Sequence, residues 1–529
     1  MPVRVNPLLF FLCLSVAVAT TSCGGGGSPD EGGAAADPPS EAPPPFGLPP
    51  GSPPPADVPP PTADAPAAGA TSCNALPALP TRPSRVRSVA DFGAVPNDSV
   101  DDTDAIQRAL NSLAPGEWLI FPPGRYLHSK SLHLKVANTV MWGEGATLHA
   151  TNPNDQALWI EADGASVYKF TLTAVTVNRR TTPWESRIAV FGGTNPPRLL
   201  HNNVVRGNRV VQGGDPGTSL ANGASSAGIF IYHATNFLVA ENTVSRSLSD
   251  GIHITSGSSH GKVLNNTVKE PGDDMIAVVS YIGDPSTTAA SIAANFSARK
   301  ARDLNHHITI AGNTVSGQYW GRGVSVVGGE NVTIENNVID RTTHAAGVYL
   351  ARETGYLTFG VRNVLVRNNT ITENQTTIPN YTAGAVGPNA TKTGQGAVEI
   401  YSWVFSDEAA NSSLLDALAV ENIRVESNRI SKTRNDAVRI GTGYGKTMSY
   451  TGKRSDGSSF TRSLTGGSVG LIGLSANTMA SIGGKPIAIN NRPNAQSNVS
   501  CDTNTDDGNA ATNSLCSGVK PPVVPACTS

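Results

Sequence analysis

The sequence predicts an all-β right-handed parallel β-helix with a short N-terminal capping helix, and two observations carry that prediction. The first is a recurring phrase, an Asn followed by small and β-branched residues: Asn242, Asn266, Asn313, Asn337, Asn369, Asn428 and Asn477. The two tightest intervals, Asn242 to Asn266 and Asn313 to Asn337, are identical and fall within the range of stacked-repeat architectures. A unit that short cannot bury a core alone, so neighbours must stack. The second is a short apolar strand that follows the Asn after a turn, with no long helical periodicity between repeats. Identical Asn side chains at one turn can then form hydrogen-bonded ladders from coil to coil.

Taken in chain order, residues 1–22 read as a secretory signal, with Arg4 ahead of the apolar run Leu8 to Ala19, too short for an ordinary membrane span. Thr20-Thr21-Ser22-Cys23 resembles a bacterial lipoprotein box, although Thr20 stands where Leu or Val is usual. Cys23 is the expected lipid attachment point, which predicts an exported lipoprotein at the cell surface or periplasm, with plain secretion as the alternative. Residues 23–72 are rich in Gly, Pro, Ala and Ser and read as a disordered tether. The β-helix domain is expected over 73–495. At its start, Ile106, Ala109, Leu110 and Leu113 follow a helical spacing after Asp101-Asp102-Thr103-Asp104, an acidic start that suits N-capping. This helix would cover the open end of the first coil.

The strands within the repeats align as Asp250-Gly-Ile-His-Ile254, Asp274-Met-Ile-Ala-Val278, Arg322-Gly-Val-Ser-Val326, Ala346-Gly-Val-Tyr-Leu350 and Asp436-Ala-Val-Arg-Ile440. Asp250 follows Asn242 at the same interval at which Asp274 follows Asn266, so the two occupy one rung position. Adjacent strands lie roughly 4.8 Å apart, which makes the two carboxylates neighbours. Arg322 continues their column, and Asp273 sits at the turn entering the second strand. Residues 496–529 read as a Cys-containing tail. Cys73, Cys501, Cys516 and Cys527 are an even set in an exported chain and suggest two disulfides with three possible connectivities, Cys501 with Cys516 being favoured.

The succession Ser-Asp-Gly-Ile-His-Ile, Gly-Asp-Asp-Met-Ile-Ala-Val, Gly-Arg-Gly-Val-Ser-Val and Gly-Val-Tyr-Leu-Ala resembles the active-site order of glycoside hydrolase family 28, the polygalacturonase-like branch of the pectin-lyase-like β-helices. That family reads Asn-Thr-Asp-Gly, Gly-Asp-Asp, Gly-His-Gly and Arg-Ile-Lys. The openings Val89-Ala-Asp-Phe-Gly-Ala-Val95, Asp101-Asp-Thr-Asp-Ala-Ile-Gln107 and Phe121-Pro-Pro-Gly-Arg-Tyr126 also resemble the start of the superfamily. The resemblance spans about residues 85 to 490. It implies Asp250, Asp273 and Asp274 as catalytic carboxylates, with Asp273 the general acid, the other two activating water, and an inverting outcome. Arg322 replaces the family's His, and Tyr349 and Ala351 replace its Arg and Lys, so plain polygalacturonate is not the expected substrate.

Clustered carboxylates suit glycoside hydrolysis because they cannot all ionise cheaply: one is kept as a proton donor while another stays charged. His253, Arg322 and Tyr349 are expected to line a substrate cleft, with Tyr319, Trp320, Tyr401 and Trp403 as candidate stacking platforms. Asp-Gly and Gly-Asp-Asp also occur as ordinary turn pieces, so each alone has a structural reading. The hydrolase needs no cofactor. Two alternatives use the same residues: a polysaccharide lyase in which Asp250, Asp273 and Asp274 hold calcium and Arg322 is the base, and a non-catalytic glycan-binding β-helix. With 39 basic and 41 acidic residues, 15% charged residues and 54 Gly, nothing points to nucleic acid. The expected partner is a polysaccharide, with membrane contact only through a lipid and the chain a monomer.

Overall fold

The computed structural model describes residues 75–522 apart from 85, 153, 176–185, 194–196, 212–226, 378–391, 443–447, 455–457, 491–498 and 517–520. The signal, the tether, Cys23, Cys73 and Cys527 lie outside the described residues. Among the described residues, the strands form three long sheets of 15, 13 and 13, and successive coils contribute strands to them in turn. Pairing between successive coils is parallel throughout the stack, as in Ile252↔Ile276, Ile276↔Val324 and Val324↔Val348. The chain is a right-handed parallel β-helix, as its repeats predict.

Alternation along each strand builds the core. Ile252, Ile254, Ile276, Val278, Val324, Val326, Val348 and Leu350 point inward and are fully buried in one continuous apolar column. The Asn ladder is present and is longer than the seven members read from the sequence. It runs Asn208, Asn242, Asn266, Asn313, Asn337, Asn369, Asn428, Asn477 and Asn504, each side-chain amide donating to the next Oδ1 at 2.8–3.1 Å. Each Oδ1 also accepts the backbone N–H of the preceding ladder Asn, as Asn369 does from Asn337 at 2.9 Å. The residue before each ladder Asn is left-handed even when it is Glu241, Ser427, Ala476 or Thr503. That conformation costs non-glycine residues about 1 kcal/mol or more, a cost the buried ladder offsets.

The capping helix is Thr103–Asn111, with Ile106, Ala109 and Leu110 in the core. Its expected side-chain cap differs: Asp102 makes no cap hydrogen bond and instead accepts from Val95 N and Leu127 N, tying the helix to the first coil. Besides the short helices Ser406–Ala409 and Ser412–Ala417, two excursions among the described residues leave the stack. One carries the helix Ala289–Asp303, N-capped by Thr288. The other is the antiparallel hairpin of Met448–Lys453 and Ser459–Gly466, paired to Trp403–Phe405. At the C-terminal end the sheets continue past residue 495. Val499–Asp502 extends the first sheet and Thr505–Asp506 the third, so this part of the expected tail belongs to the stack. Cys501 and Cys516 form the favoured disulfide.

Candidate active site

Six consecutive strands of the second sheet build the site: Ile252–Thr255, Ile276–Val279, Val324–Val327, Val348–Arg352, Val398–Phe405 and Val438–Thr442. Just before each of these strands lies a turn position, and strand register stacks those positions into the column Asp250, Asp274, Arg322, Ala346, Gly396 and Asp436. Asp250 and Asp274 are therefore neighbours on adjacent coils, and Arg322 follows them. One step inside each strand, the outward column reads His253, Ala277, Ser325, Tyr349, Glu399 and Arg439. The two columns together bring Asp250, Asp274, His253, Arg322 and Tyr349 to one face, with Asp273 at its edge.

Both oxygens of Asp250 are engaged. Oδ1 accepts the Asp274 backbone N–H at 2.9 Å, and Oδ2 lies 2.6 Å from His253 Nδ1. Asp274 repeats the pattern one coil on: Oδ1 accepts Arg322 N at 2.6 Å and Oδ2 accepts Ser325 Oγ at 2.5 Å. The same bond recurs far from the cluster, where Asp436 Oδ1 accepts Lys485 N at 2.7 Å. An Asp in this column thus has a structural task, capping the turn of the following coil. Asp273 stands outside the column and is the most exposed of the three at 9%, against 2% for Asp250 and 5% for Asp274.

Gly321, with φ +71°, lets the next turn approach the carboxylates. A Cβ there would fall 2.3 Å from Asp273 Oδ1 and 2.4 Å from Asp274 Oδ1. Arg322 is 6% exposed, its guanidinium 4.2 Å above the Tyr349 ring, 3.8 Å from Asp274 Oδ1 and bound to Glu353. Tyr349 thus seats a cation supplied by the preceding coil.

Burial pushes Asp274 up to about 6, with Arg322 opposing and the Asp273 charge adding to the rise. Burial pushes His253 down to about 4 against the pull of Asp274 and Asp273, so it is neutral near pH 7 and donates Nδ1–H to Asp250. Fully enclosed, His253 orients Asp250. Burial alone would lower Arg322, but Glu353 and Asp274 reverse this and hold it charged well above the usual arginine value. Burial raises Glu399 to about 7 although Arg439 binds it at 2.9 Å. Desolvation and then the charges of Asp250, Glu353, Asp273 and Asp274 raise Tyr281, although the residue as a whole is 37% exposed and the charges are the firmer cause.

Of the suggested stacking platforms, Trp320 is 8% exposed and stacks on His344 at 4.0 Å, and Tyr319 is buried. Tyr401 and Trp403 are half-buried and hydrogen-bonded to each other. Sequence reading overlooked Ser325, Tyr281, Glu353 and Glu399. Ser325 was visible inside the aligned Gly-Val-Ser-Val strand. Glu399 lies in Ala397-Val-Glu-Ile400, a coil absent from the alignment because a long insertion separates its flanking ladder members, Asn369 and Asn428. Glu353 and Tyr281 follow strands and carry no periodic signal.

Calcium, which the lyase alternative requires, would have to compete with contacts already made in this cluster. The carboxylate oxygens of Asp250 and Asp274 already accept hydrogen bonds, and the Arg322 cation sits alongside. Among the described residues, the group that brings three donor atoms within 4.8 Å of one another is a histidine set elsewhere.

Among solved structures, a point variant of the catalytic domain of a glycoside hydrolase family 87 α-1,3-glucanase in complex with nigerose aligns with a TM-score of 0.51 at 16% identity. The alignment covers 82% of this chain and 70% of that one. The A-module of the Azotobacter vinelandii mannuronan C-5 epimerase AlgE6 aligns with a TM-score of 0.49 at 16% identity, covering 79% and 99%. At such identities the likeness is one of fold. No curated protein matches the chain. The family described as rhamnogalacturonase A/epimerase, pectate lyase-like, matches residues 86–389, a span that holds the capping helix and all three aspartates. With more than half of its length matched, this chain belongs to the rhamnogalacturonase A/epimerase, pectate lyase-like family of parallel β-helices.

Proposed function

We propose that the protein is an exported glycoside hydrolase that cleaves a glycosidic bond in an extracellular polysaccharide. The observation that carries this reading is the stacking of Asp250 and Asp274 on adjacent coils beside Asp273. Asp273, the most exposed of the three, is the general acid on the leaving oxygen. The Asp250 and Asp274 carboxylates, fixed by His253, Ser325 and the turn of the next coil, polarise the attacking water. Attack from the opposite face inverts the anomeric centre. Arg322, held over Tyr349, offers a cation beside the reacting sugar.

The lyase reading is disfavoured by the same geometry. An arginine base must shed a proton, and Glu353 with Asp274 holds that proton on Arg322. A panel of plant, algal and bacterial glycans, assayed with and without a chelator, tests the proposal. New reducing ends that form without ultraviolet absorbance and survive chelation are expected. Chelator-sensitive release of an unsaturated, ultraviolet-absorbing product would assign the lyase, and no product from any glycan would favour a binding protein.

A further inference from the structure

A column of left-handed residues runs along one turn of the first sheet, distinct from the buried Asn ladder. Its members Asn202, Asn236, Asn331, Asn363 and Asn422 all have φ between 52° and 60°, and strand register places them one above another. Asn suits this position because its short amide tolerates the left-handed region. Side-chain bonds link part of the column, Asn422 to Asn363 at 2.6 Å and Asn363 to Asn331 at 3.1 Å. Two successive members break the pattern. His260 and His307 stand where the neighbours carry Asn, with φ of +50° and +55°.

A third histidine, His306, completes a group. One ring nitrogen from each of His260, His306 and His307 lies within 4.8 Å of the others. His306 Nδ1 and His307 Nδ1 face each other at 2.8 Å. His260 and His307 stack nearly parallel at 4.8 Å, while His306 stands edge-on to both. His260 is exposed and the other two are half-buried, so a cation can enter from solvent. The surroundings supply an acidic neighbour as well: Glu330 pairs with His306 in register and is bound by Lys300 at 2.7 Å. Asn331 faces His307 Nε2 at 3.3 Å.

We propose that His260, His306 and His307 form a binding site for a borderline divalent transition-metal cation of the Zn(II) type, with a fourth position open to water. Imidazole donors select such ions over calcium or magnesium, and three histidines with an open position are a known zinc ligand set. In the metal-free protein the 2.8 Å contact is an N–H···N hydrogen bond between neutral rings; when the cation takes that place the donor ring carries its proton on Nε2 instead, so both rings bind as neutral imidazoles. The site bridges strands Ser259–Leu264 and His306–Ala311, which pair directly although residues 265–305, with Asp273, Asp274 and the helix Ala289–Asp303, lie between them. The bound ion would therefore clamp both ends of the excursion that carries the acidic pair, on a sheet other than the one that holds them.

The proposal is independent of the glycan reading and has its own test. The metal-stripped full chain is titrated with zinc chloride alone and, separately, calcium chloride, beside His260→Asn and His307→Asn. Asn occupies this column at the rungs on either side, Asn236 and Asn331, so both variants preserve the turn. The wild type should bind about one zinc equivalent that raises its melting temperature, each variant should lose about tenfold or more in affinity, and calcium should leave the melting temperature unchanged. Cobalt(II) loaded into the wild type should show the visible absorption bands of a nitrogen-ligated site, weakened in both variants. Absence of zinc binding at micromolar concentration, or equal affinity in wild type and variants, would overturn the site and leave the three rings a stacked turn column.

Discussion

Replacement of Asp273 and replacement of Asp274 ask different things of this protein. Asp273→Asn removes a proton donor from outside the turn-capping column, so the fold should persist while turnover falls by about two to four orders of magnitude. Asp274→Asn also touches stability. Its folded-state pKa, about 6, lies above the ordinary 3.8, so folding binds a proton that the unfolded chain releases. This contribution is fully present below about pH 4 and is lost as pH rises through about 6. Urea midpoints of the wild type should decline across that window more steeply than those of Asp274→Asn; parallel curves would show that the carboxyl titrates normally. Activity should follow the same group, rising as pH passes through about 6 and Asp274 ionises to polarise the attacking water; a profile that falls through that window would make Asp274 the proton donor. Gly321→Ala places a methyl within 2.4 Å of both carboxylates, and relieving that clash by a shift of about 1 Å should cost about a hundredfold in kcat/KM. Unchanged kinetics in a folded Gly321→Ala would separate the two carboxylates from the chemistry.

At the scale of the element, the Asn ladder is the part of the fold most legible in the sequence, because one polar residue must recur wherever the turn recurs. Asn337 shows what each rung contributes: it donates to Ile310 O and Asn369 Oδ1 and accepts from Asn313 N and its amide, all without access to water. Asn337→Ala should cost at least about 2 kcal/mol in chemical denaturation, since it orphans several buried groups at once. A loss below about 0.5 kcal/mol would mean that the ladder is ornamental. Two rungs escaped sequence reading, Asn208 and Asn504, because they lie beyond the two ends of the run in which the phrase was recognised, and Asn504 is followed by Thr505-Asp506 in place of the usual apolar residue. The paired strands of the acidic cluster were legible for the opposite reason, an uninterrupted single repeat from Asp250 to Asp274. What the sequence concealed was function shared across coils. Nothing near Arg322 announces that its partners are Glu353 and Tyr349, both supplied by the next coil, because the contacts follow from stacking and not from local pattern.

Across the whole molecule, a solenoid of three sheets offers one long face on which a carboxylate cluster, a seated arginine and half-buried aromatics succeed one another from coil to coil. An extended polymer suits such a face, and an exported protein would meet one outside the cell. If Cys23 carries a lipid, Cys23→Ala should move the protein from the membrane fraction to the soluble one with its melting curve unchanged; wild-type protein that is already wholly soluble would contradict the anchor. Among the described residues no helix is long and apolar enough to cross a membrane. The central claim, glycosidic hydrolysis by the stacked aspartates, is tested most directly by proton NMR of the reaction as product first appears from a cleaved glycan. The account predicts a new anomeric proton of configuration opposite to that of the bond cut, no olefinic proton, and loss of both product and time course in Asp273→Asn; an olefinic proton, or full product formation by that variant, would contradict it.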